Sequence, residues 1–560
     1  MVGRMIAALS AFLKAYPRLE RVTLLLIAPF MPRLTLVLNQ LRAPVYSAWF
    51  ARWQTTEPEN DADILAALGD YSPSFLIVVG AGALGKATLA SLQKQVAIDC
   101  HAVEARDAAA LLKRFTGGFV MILEEGEILE RHALACFAIA ARRQPKARVL
   151  YADEDMRDTS GALCAPWFKG TFDPLRLLQQ ASLGSAIAFD ATLVHDHGLL
   201  NLRGHSLTLA ATRVAGIDSV YHIPAVLLHR APNSSMQPWR SATDRKAVSA
   251  VLSKEIPGAR IAACSDRPLR IIWPLPSPFP RVSLIIPTRD MATLLGACLE
   301  GLLRHTDYPS MEVIVVDNGS TEPALHQLLR RWSSDPRLRV LQSPGEFNYA
   351  SQNNQAAAIA RGEVLVLLNN DTEVLHTGWL KEMVALAIRA DIGAVGAKLF
   401  FPSRRIQHAG IILGPRAVAT HDYFFSKAQE QGQQDDLLLL RQVSAVTGAC
   451  LAVRKYAYRA VGGLDERHFP VAFNDVDFCL KLAAVGLRNI ITPHARLIHH
   501  ESASRRSDYS RKRYNLWKAE RNALREKWGA ALNDDLFYPP LLSVAPPVRI
   551  PAEPPRRMLF

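Results

Sequence analysis

The chain has 560 residues, 49% hydrophobic and 21% charged, and its 65 Lys and Arg against 52 Asp and Glu leave a formal net charge of +13. That length exceeds what one hydrophobic core usually organises, so two domains are expected, each able to bury its own core. The seven cysteines have no paired spacing, which argues against a disulfide framework or zinc site and for a reducing compartment.

At the amino terminus, Val22 to Met31 is strongly apolar, but Pro29 and Pro32 interrupt it and Arg33 follows, so no run of about twenty apolar residues is available to span a bilayer. Arg18, Arg21, Arg33 and Arg42 flank apolar stretches containing Trp49 and Trp53. That pattern fits a helix lying in a membrane interface, and equally a helix pair packed on the domain that follows. The late start of the apolar run and the lack of a small-residue cleavage site disfavour a signal peptide.

Phe75 to Val79 then reads as a strand entering Gly80-Ala81-Gly82-Ala83-Leu84-Gly85, with Glu104 about twenty residues further on. In form this is a dinucleotide-binding turn, where glycines let the backbone approach a pyrophosphate and the acid holds a ribose. Trp273-Pro274-Leu275-Pro276-Ser277-Pro278-Phe279-Pro280 follows as an extended connector between domains.

The second half alternates apolar strands with helical stretches. Val282 to Pro287, Val313 to Val316, Val340-Leu341 and Val364 to Leu368 are the strands, and a helix is expected from Leu294 to Arg304. Such alternation predicts right-handed crossovers and a parallel sheet. Three strands end in polar residues: Thr288 to Asp290, Asp317-Asn318-Gly319-Ser320, and Asn369-Asn370-Asp371. Open α/β sheets bind ligands at that edge. Asn369 and Asp371 lie two apart and face the same side, as oxygen ligands of a hard cation would, although a polar strand end reads the same way. Further on, Val476, Cys479, Leu480 and Ala483 have helical spacing, so a helix begins at Asn474 or Asp475, where Asp475 could serve simply as an N-cap.

The ordered pieces IIPTRD, VVDNGST, FNYASQNNQAAAIARGEVLVLLNNDTEV, VGAKLFFPSRRIQHAGIILG, VTGACLAV, VGGLDERHFPVAFNDVDFCLKLAAVG and HHESASR, running from about Arg281 to Ser507, resemble family 2 glycosyltransferases of the GT-A fold. They are similar in particular to bacterial enzymes that extend surface polysaccharides such as O-antigen or rhamnan. The resemblance implies a catalytic GT-A domain over 281–507, followed by a basic helix and Pro-rich tail at 508–560. It also implies that Pro287, Thr288, Asp290, Asp317, Asn318, Asn354, Asn369, Asn370 and Asp371 line a nucleotide-sugar pocket. The implied cofactor is Mg²⁺ or Mn²⁺. Where the family carries Asp-any-Asp, this chain has Asn369-Asn370-Asp371, so Asp371 is the one anionic ligand and His499 or His500 the candidate second. Asp475 would be the general base that deprotonates an acceptor hydroxyl, with Asp477 in reserve, although Asn474 replaces the family's Glu. Such a displacement inverts the anomeric centre. His408, Thr447 and Gly448 would border the acceptor, although His408 reads equally as a buried, hydrogen-bonded histidine.

By the same resemblance, Val149 to Asp155, Pro166 to Lys169 and Tyr221 to Arg230 look like the first of two tandem glycosyltransferase domains. The implied fold is two GT-A-like α/β units with mainly parallel sheets, the first, over 61–270, degenerate. There Leu123-Glu124-Glu125-Gly126-Glu127 replaces the metal motif, about one βαβ unit is missing, and Arg203 to Thr208 stands where carboxylates are expected. A dinucleotide module at Gly80 to Gly85, making the protein bifunctional, is the alternative.

Arg505-Arg506 and Arg511-Lys512-Arg513, interleaved with Tyr509, Tyr514 and Trp517, carry part of the positive charge. Without a nucleic-acid-binding pattern beside them, anionic lipid or a polyprenyl-linked acceptor is the expected partner rather than nucleic acid. The expected location is the cytoplasm, at the inner face of the cell membrane. The expected function is transfer of a sugar from a nucleoside-diphosphate donor to a surface glycan.

Overall fold

A computed structural model of the chain describes residues 46–54, 61–80, 85–104, 108–115, 117–231, 242–263, 268–414, 418–500, 511–544 and 549–557. The apolar run at Val22 to Met31, Gly82 of the glycine turn and the Arg505-Arg506 pair lie outside these residues.

The first half builds a sheet from β1 (Phe75–Val79), β2 (Cys100–Glu104), β3 (Phe119–Leu123), β4 (Ile128–Leu129), β5 (Val149–Arg157), β6 (Leu163–Trp167), β7 (Ile187–Asp190) and β8 (Val220–Arg230). Its order is β2-β1-β3-β7-β5-β8-β4, with β6 on β5. A short ribbon, β9 (Arg260–Ile261) with β10 (Ile271–Ile272), leads to the second half.

There the strands are β11 (Val282–Thr288), β12 (Met311–Asp317), β13 (Leu338–Gln342), β14 (Val364–Leu368), β15 (Thr372–Val374), β16 (Ile392–Phe400), β17 (Ile406–His408), β18 (Ile411–Gly414), β19 (Val418–His421), β20 (Arg441–Gln442), β21 (Cys450–Arg454) and β22 (Arg488–His499). The main sheet runs β13-β12-β11-β14-β21-β16-β22-β15, with β17 on β16 and β20 on β22, while β18 and β19 form a hairpin. The expected helix after β11 spans Ala292–His305.

Both sheets are mixed: parallel pairings predominate along the main path of the second, including β16 with β22, but antiparallel pairings interrupt them. In the second, β11, β12, β13 and β14 are parallel neighbours, but β14 pairs antiparallel with β21, β21 antiparallel with β16, and β15 antiparallel with β22. The apolar runs are hydrophobic because both faces of these strands are covered, and that burial does not record strand direction. The reversal has a consequence for the site: it delivers the segment preceding β21 to the same edge as the end of β14, where the Asn369 amide donates to the Ala449 carbonyl at 3.1 Å.

The two sheets correspond strand for strand. Without β13, the second reads β12-β11-β14-β21-β16-β22-β15, matching the first in spatial order, in chain order and in the sense of each pairing. The second half has β13 and the β18 to β20 region in addition.

Each sheet covers an apolar cluster of its own, but a third cluster is continuous between them, from Val149 and Tyr151 through Trp273 to Val282, Leu284 and Val313. Polar bridges cross the same boundary. The Gln179 side chain donates to the Leu440 carbonyl at 2.7 Å and accepts from the Leu440 amide at 3.1 Å. Arg176 pairs with Asp436 at 2.7 Å, and Asp173 accepts from the Gln442 amide at 2.7 Å.

Trp49 is read differently by the structure than by an interfacial-helix expectation. The helix Tyr46–Trp53 buries Trp49, whose indole donates to the Ala552 carbonyl at 2.8 Å, among Phe50, Phe168, Ile412, Tyr538 and Leu541. It therefore helps staple the carboxyl-terminal segment against both halves, and Trp49 is not available to a bilayer. Among the described residues no helix is long and apolar enough to cross a membrane.

Candidate active site

At the carboxyl edge of the second sheet, β11 and β12 end side by side at Thr288 and Asp317. Asp317 is 1% exposed and accepts from the Ser320 amide at 2.9 Å, while Asn318 donates to the Ser343 carbonyl at 2.8 Å. Asp290, at φ +55, accepts from the amides of Thr321 and Glu322 at 2.7 and 2.9 Å; these bonds hold its carboxyl below the usual range. Pro287 is buried within β11. These residues thus shape the turn after β12 and tie it to the end of β11.

Asn370 donates to Thr288 Oγ1 at 2.8 Å, which fastens the end of β14 to β11. Asp371 is 5% exposed, and its Oδ1 lies 3.1 Å from His499 Nε2 because β15 pairs with the end of β22. Of the doubled histidines it is the His499 ring that meets the Asp371 carboxylate; His500 gives its backbone amide to the Asp371 carbonyl at 2.9 Å, and its ring pairs with Glu373 at 2.8 Å. His499 Nδ1 is 2.8 Å from Gln407 Oε1, an acceptor, so the proton of the neutral ring sits on Nδ1. The Nε2 lone pair then faces a carboxylate oxygen and accepts from Asn369 Nδ2 at 3.1 Å. Two acceptors at that separation are stabilised by a proton or a cation between them. The donor set, one carboxylate and one imidazole at a strand edge, is of the kind that could hold a Mg²⁺ or Mn²⁺ ion together with further oxygen ligands.

The helix Asn474–Ala484 begins after Phe473, which lies at φ +59 and contributes no side-chain cap. Asp475 does not serve as the N-cap. Its Oδ2 accepts from the Gly448 amide at 2.9 Å and its Oδ1 from the Val476 amide at 2.9 Å, and among the described residues it has no ion-pair partner. Tyr349 closes the back of this corner. Burial, aided by the Asp475 charge, raises its phenol far above the ordinary value, so it stays neutral and donates to the Gly448 carbonyl at 2.9 Å. Nothing in the sequence pattern marks Tyr349, because it lies a hundred residues from its partner.

Asp477, the reserve base of the sequence reading, is placed elsewhere. It is fully buried, accepts from the Trp528 indole at 2.8 Å and pairs with Lys527 at 2.7 Å, so it anchors the helix Arg511–Trp528. Asn354 is likewise turned away from the expected pocket. Its amide accepts from Tyr458 Oη at 2.6 Å and donates to the Leu464 carbonyl at 2.9 Å, pinning the helix Tyr349–Ile359 to the loop before Asp475. In both cases a polar residue inside a recognisable motif is used for packing. His408 is fully buried, with Nε2 3.4 Å from the Thr447 amide and Nδ1 2.8 Å from His421 Nδ1. Burial, then the neighbouring His421, Arg441 and His499, drives its pKa well below 6.5, and the neutral ring is a hydrogen-bonding member of the wall behind Thr447.

In the first half, Gly80 ends β1 and Glu104 ends β2 on the exposed side. The sheet is parallel only over β2, β1 and β3 before β7 reverses it, unlike the doubly wound sheet that a dinucleotide turn implies.

Fold and site define an α/β protein whose second sheet gathers Asp317, Asp371 with His499, and Asp475 at one edge. Residues 283–461 match the family described as Glycosyl transferase family 2, and the chain carries a family 2 glycosyltransferase domain there. It is 34% identical over 459 residues to the uncharacterised protein y4gI of Sinorhizobium fredii, covering 79% of this chain and 50% of that protein. It is 37% identical over 406 residues to the O-antigen biosynthesis protein RfbC of Myxococcus xanthus, covering 70% of this chain and 31% of that one. Thus the chain spans about half of the first relative and about a third of the second. An N-acetylglucosaminyl-diphospho-decaprenol L-rhamnosyltransferase of Mycobacterium tuberculosis is 27% identical over 229 residues, or 37% of this chain and 71% of that enzyme. Among solved structures, GalNAc-T7 with UDP, GalNAc and Mn²⁺ aligns at a TM-score of 0.34 and 14% identity over 40% of this chain and 44% of its own.

Proposed function

We propose that the second half is the catalytic unit of an inverting glycosyltransferase, of GT-A type, that moves a sugar from a nucleoside-diphosphate donor to a cell-surface glycan or polyprenyl-linked acceptor. The observation that carries this reading is the meeting of two groups of residues through the antiparallel β14–β21 pairing. Asp317, Asp371 and His499 occupy the donor side, and Gly448 with Asp475 the acceptor side. Asp475 takes the proton of the acceptor hydroxyl, whose oxygen forms the new bond to the anomeric carbon. The bond from that carbon to the donor diphosphate breaks, and its electron pair leaves with the diphosphate. Asp371 and His499 would hold a divalent ion, which when bound offsets the charge that develops on the diphosphate. Asp317, with Asn318, Thr288 and Pro287 beside it, would face the nucleoside. A rhamnosyl donor is the finer expectation that the rhamnosyltransferase relative favours, and a polyprenyl-linked acceptor would place the reaction at a membrane face.

The first half reads best as a tandem copy without catalysis. The matching strand order supports this, and so do the side chains at its corresponding edge. The pairings Ile128↔His229 and Thr372↔His499 put Glu127 where Asp371 stands. Burial raises Glu127 to a pKa of about 7. Lys169 and Arg230 lie against Glu154 at 3.0 and 3.4 Å, filling with internal cations the region where a donor's diphosphate would sit.

Release of nucleoside diphosphate, measured across a panel of sugar donors with and without Mn²⁺, tests the proposal. Asp475→Asn is expected to lower turnover by about 10²–10⁴-fold with donor affinity unchanged, and Asp371→Ala to weaken Mn²⁺-dependent donor binding. Release within about tenfold of the parent from Asp475→Asn would remove the base from its role, and full activity in excess chelator would remove the metal.

A further inference from the structure

Phe424 is 40% exposed, yet Asp422 and Tyr423 immediately before it are buried. Asp422 is buried and pairs with Arg441 at 2.9 Å and Arg549 at 2.5 Å. Tyr423 is buried, donates to Asp436 at 3.0 Å and lies under the Arg549 guanidinium at 4.5 Å. Tyr423 and Phe425 adopt φ of +53 and +68, a left-handed backbone that bulky residues avoid, on either side of Phe424. Strain of this kind persists where surrounding structure over-determines it, and it concentrates at binding sites.

The ring is also aimed and connected. His421 stacks on Phe424 at 6.3 Å and 22°, and Phe401 abuts it edge-on at 5.5 Å. Arg405 covers the neighbouring Phe425 at 4.7 Å. His421 in turn bonds His408, which touches Thr447, next to the Gly448 amide that holds Asp475. Because His408 Nε2 accepts from Thr447, its Nδ1 carries the proton and donates to His421 Nδ1, leaving the His421 proton on Nε2. Two ring-to-ring steps, 5.0 and 6.3 Å, therefore lead from the wall behind Thr447 to an exposed aromatic face. An apolar face with imidazole and guanidinium donors around it suits the C–H face and hydroxyls of a sugar ring.

We propose that Phe424, with His421 beside it, is the platform of an acceptor subsite that stacks a sugar residue outside the one that reacts. The assignment rests on the glycosyl-transfer reading above. Saturation-transfer NMR on the full-length protein with rhamnose and with a rhamnose disaccharide and trisaccharide as probes tests it without requiring turnover. The parent should bind the longer saccharides more tightly than the monosaccharide. Phe424→Leu, which keeps apolar bulk without the stacking face, should lose about tenfold for the disaccharide and trisaccharide, Phe424→Tyr should retain binding, and monosaccharide and donor binding should be unchanged in both. Equal binding by Phe424→Leu and parent, or no saccharide binding by the parent, overturns the subsite. So does a loss confined to phosphatidylglycerol vesicles run alongside, which would make Phe424 a membrane contact. If no donor is ever turned over while saccharide binding depends on Phe424, the catalytic reading fails and the platform stands.

Discussion

His229 and His499 occupy corresponding ends of β8 and β22, and their neighbours give them opposite work. His499 faces one carboxylate, Asp371, and turns its other nitrogen to Gln407. His229 lies between Asp155 Oδ1, at 2.5 Å, and Glu130, while Asp155 also accepts from Tyr46 Oη at 2.7 Å. Burial would lower the His229 pKa, but the two carboxylates outweigh it and raise it to about 9. A raised folded-state value means that the stabilisation is complete below the unfolded value near 6.5 and is lost as pH rises through about 9. The stability difference between parent and His229→Gln, measured by denaturant unfolding, should therefore shrink by up to about 3 kcal/mol from pH 6.5 to 9.5. A difference that stays constant over that window would show that His229 is neutral in the fold.

The helix Arg511–Trp528 is strongly polar in sequence, and only Glu520 and Leu524 are buried along it. Its attachment is made by a few side chains. Glu520 accepts from the amides of Val471 and Ala472 at 2.8 and 3.0 Å, Lys527 and Trp528 hold Asp477, and Trp517 lies 6.1 Å from Phe473. These contacts brace the segment that turns through Phe473 into Asp475. Asp477→Ala leaves the Trp528 indole without its buried acceptor, while Lys527 keeps Asp465, and is expected to cost about 2–4 kcal/mol in unfolding free energy. Asp475→Asn breaks no ion pair and loses one of two amide-to-carboxylate hydrogen bonds, so it should cost only about 1 kcal/mol. If the two variants unfold alike, the separation of a structural from a catalytic aspartate is wrong.

Across the whole molecule, the continuous core from Tyr151 to Val315 and the Gln179–Leu440 bridge make the two halves one mechanical body. Gln179→Ala strands a buried amide and carbonyl of Leu440, a loss of about 2–4 kcal/mol. Calorimetry of the parent should show one transition, since the shared core cannot be exposed by either half alone. Two resolved transitions would mean that the boundary carries little energy. The same boundary reaches the loop that carries Phe424, because Asp436 joins Arg176 of the first half to Arg549 and Tyr423.

The strands β11 to β14, the polar strand ends at Thr288, Asp317 and Asp371, and the helix start at Asn474 were legible in the sequence. Each rests on short-range physics: apolar runs set strands, 3.6-residue spacing sets helices, and an abrupt change to carboxamides and carboxylates marks an edge. Tertiary structure alone decided the pairing sense of β14 with β21, which brings Asp475 to Asp371. It also decided between His499 and His500, the diversion of Asp477 and Asn354 into packing, and the burial of Trp49. Those outcomes depend on partners from about fifty to several hundred residues away, and a side chain's pattern in sequence is the same whether its hydrogen bonds are spent on a ligand or on the protein itself.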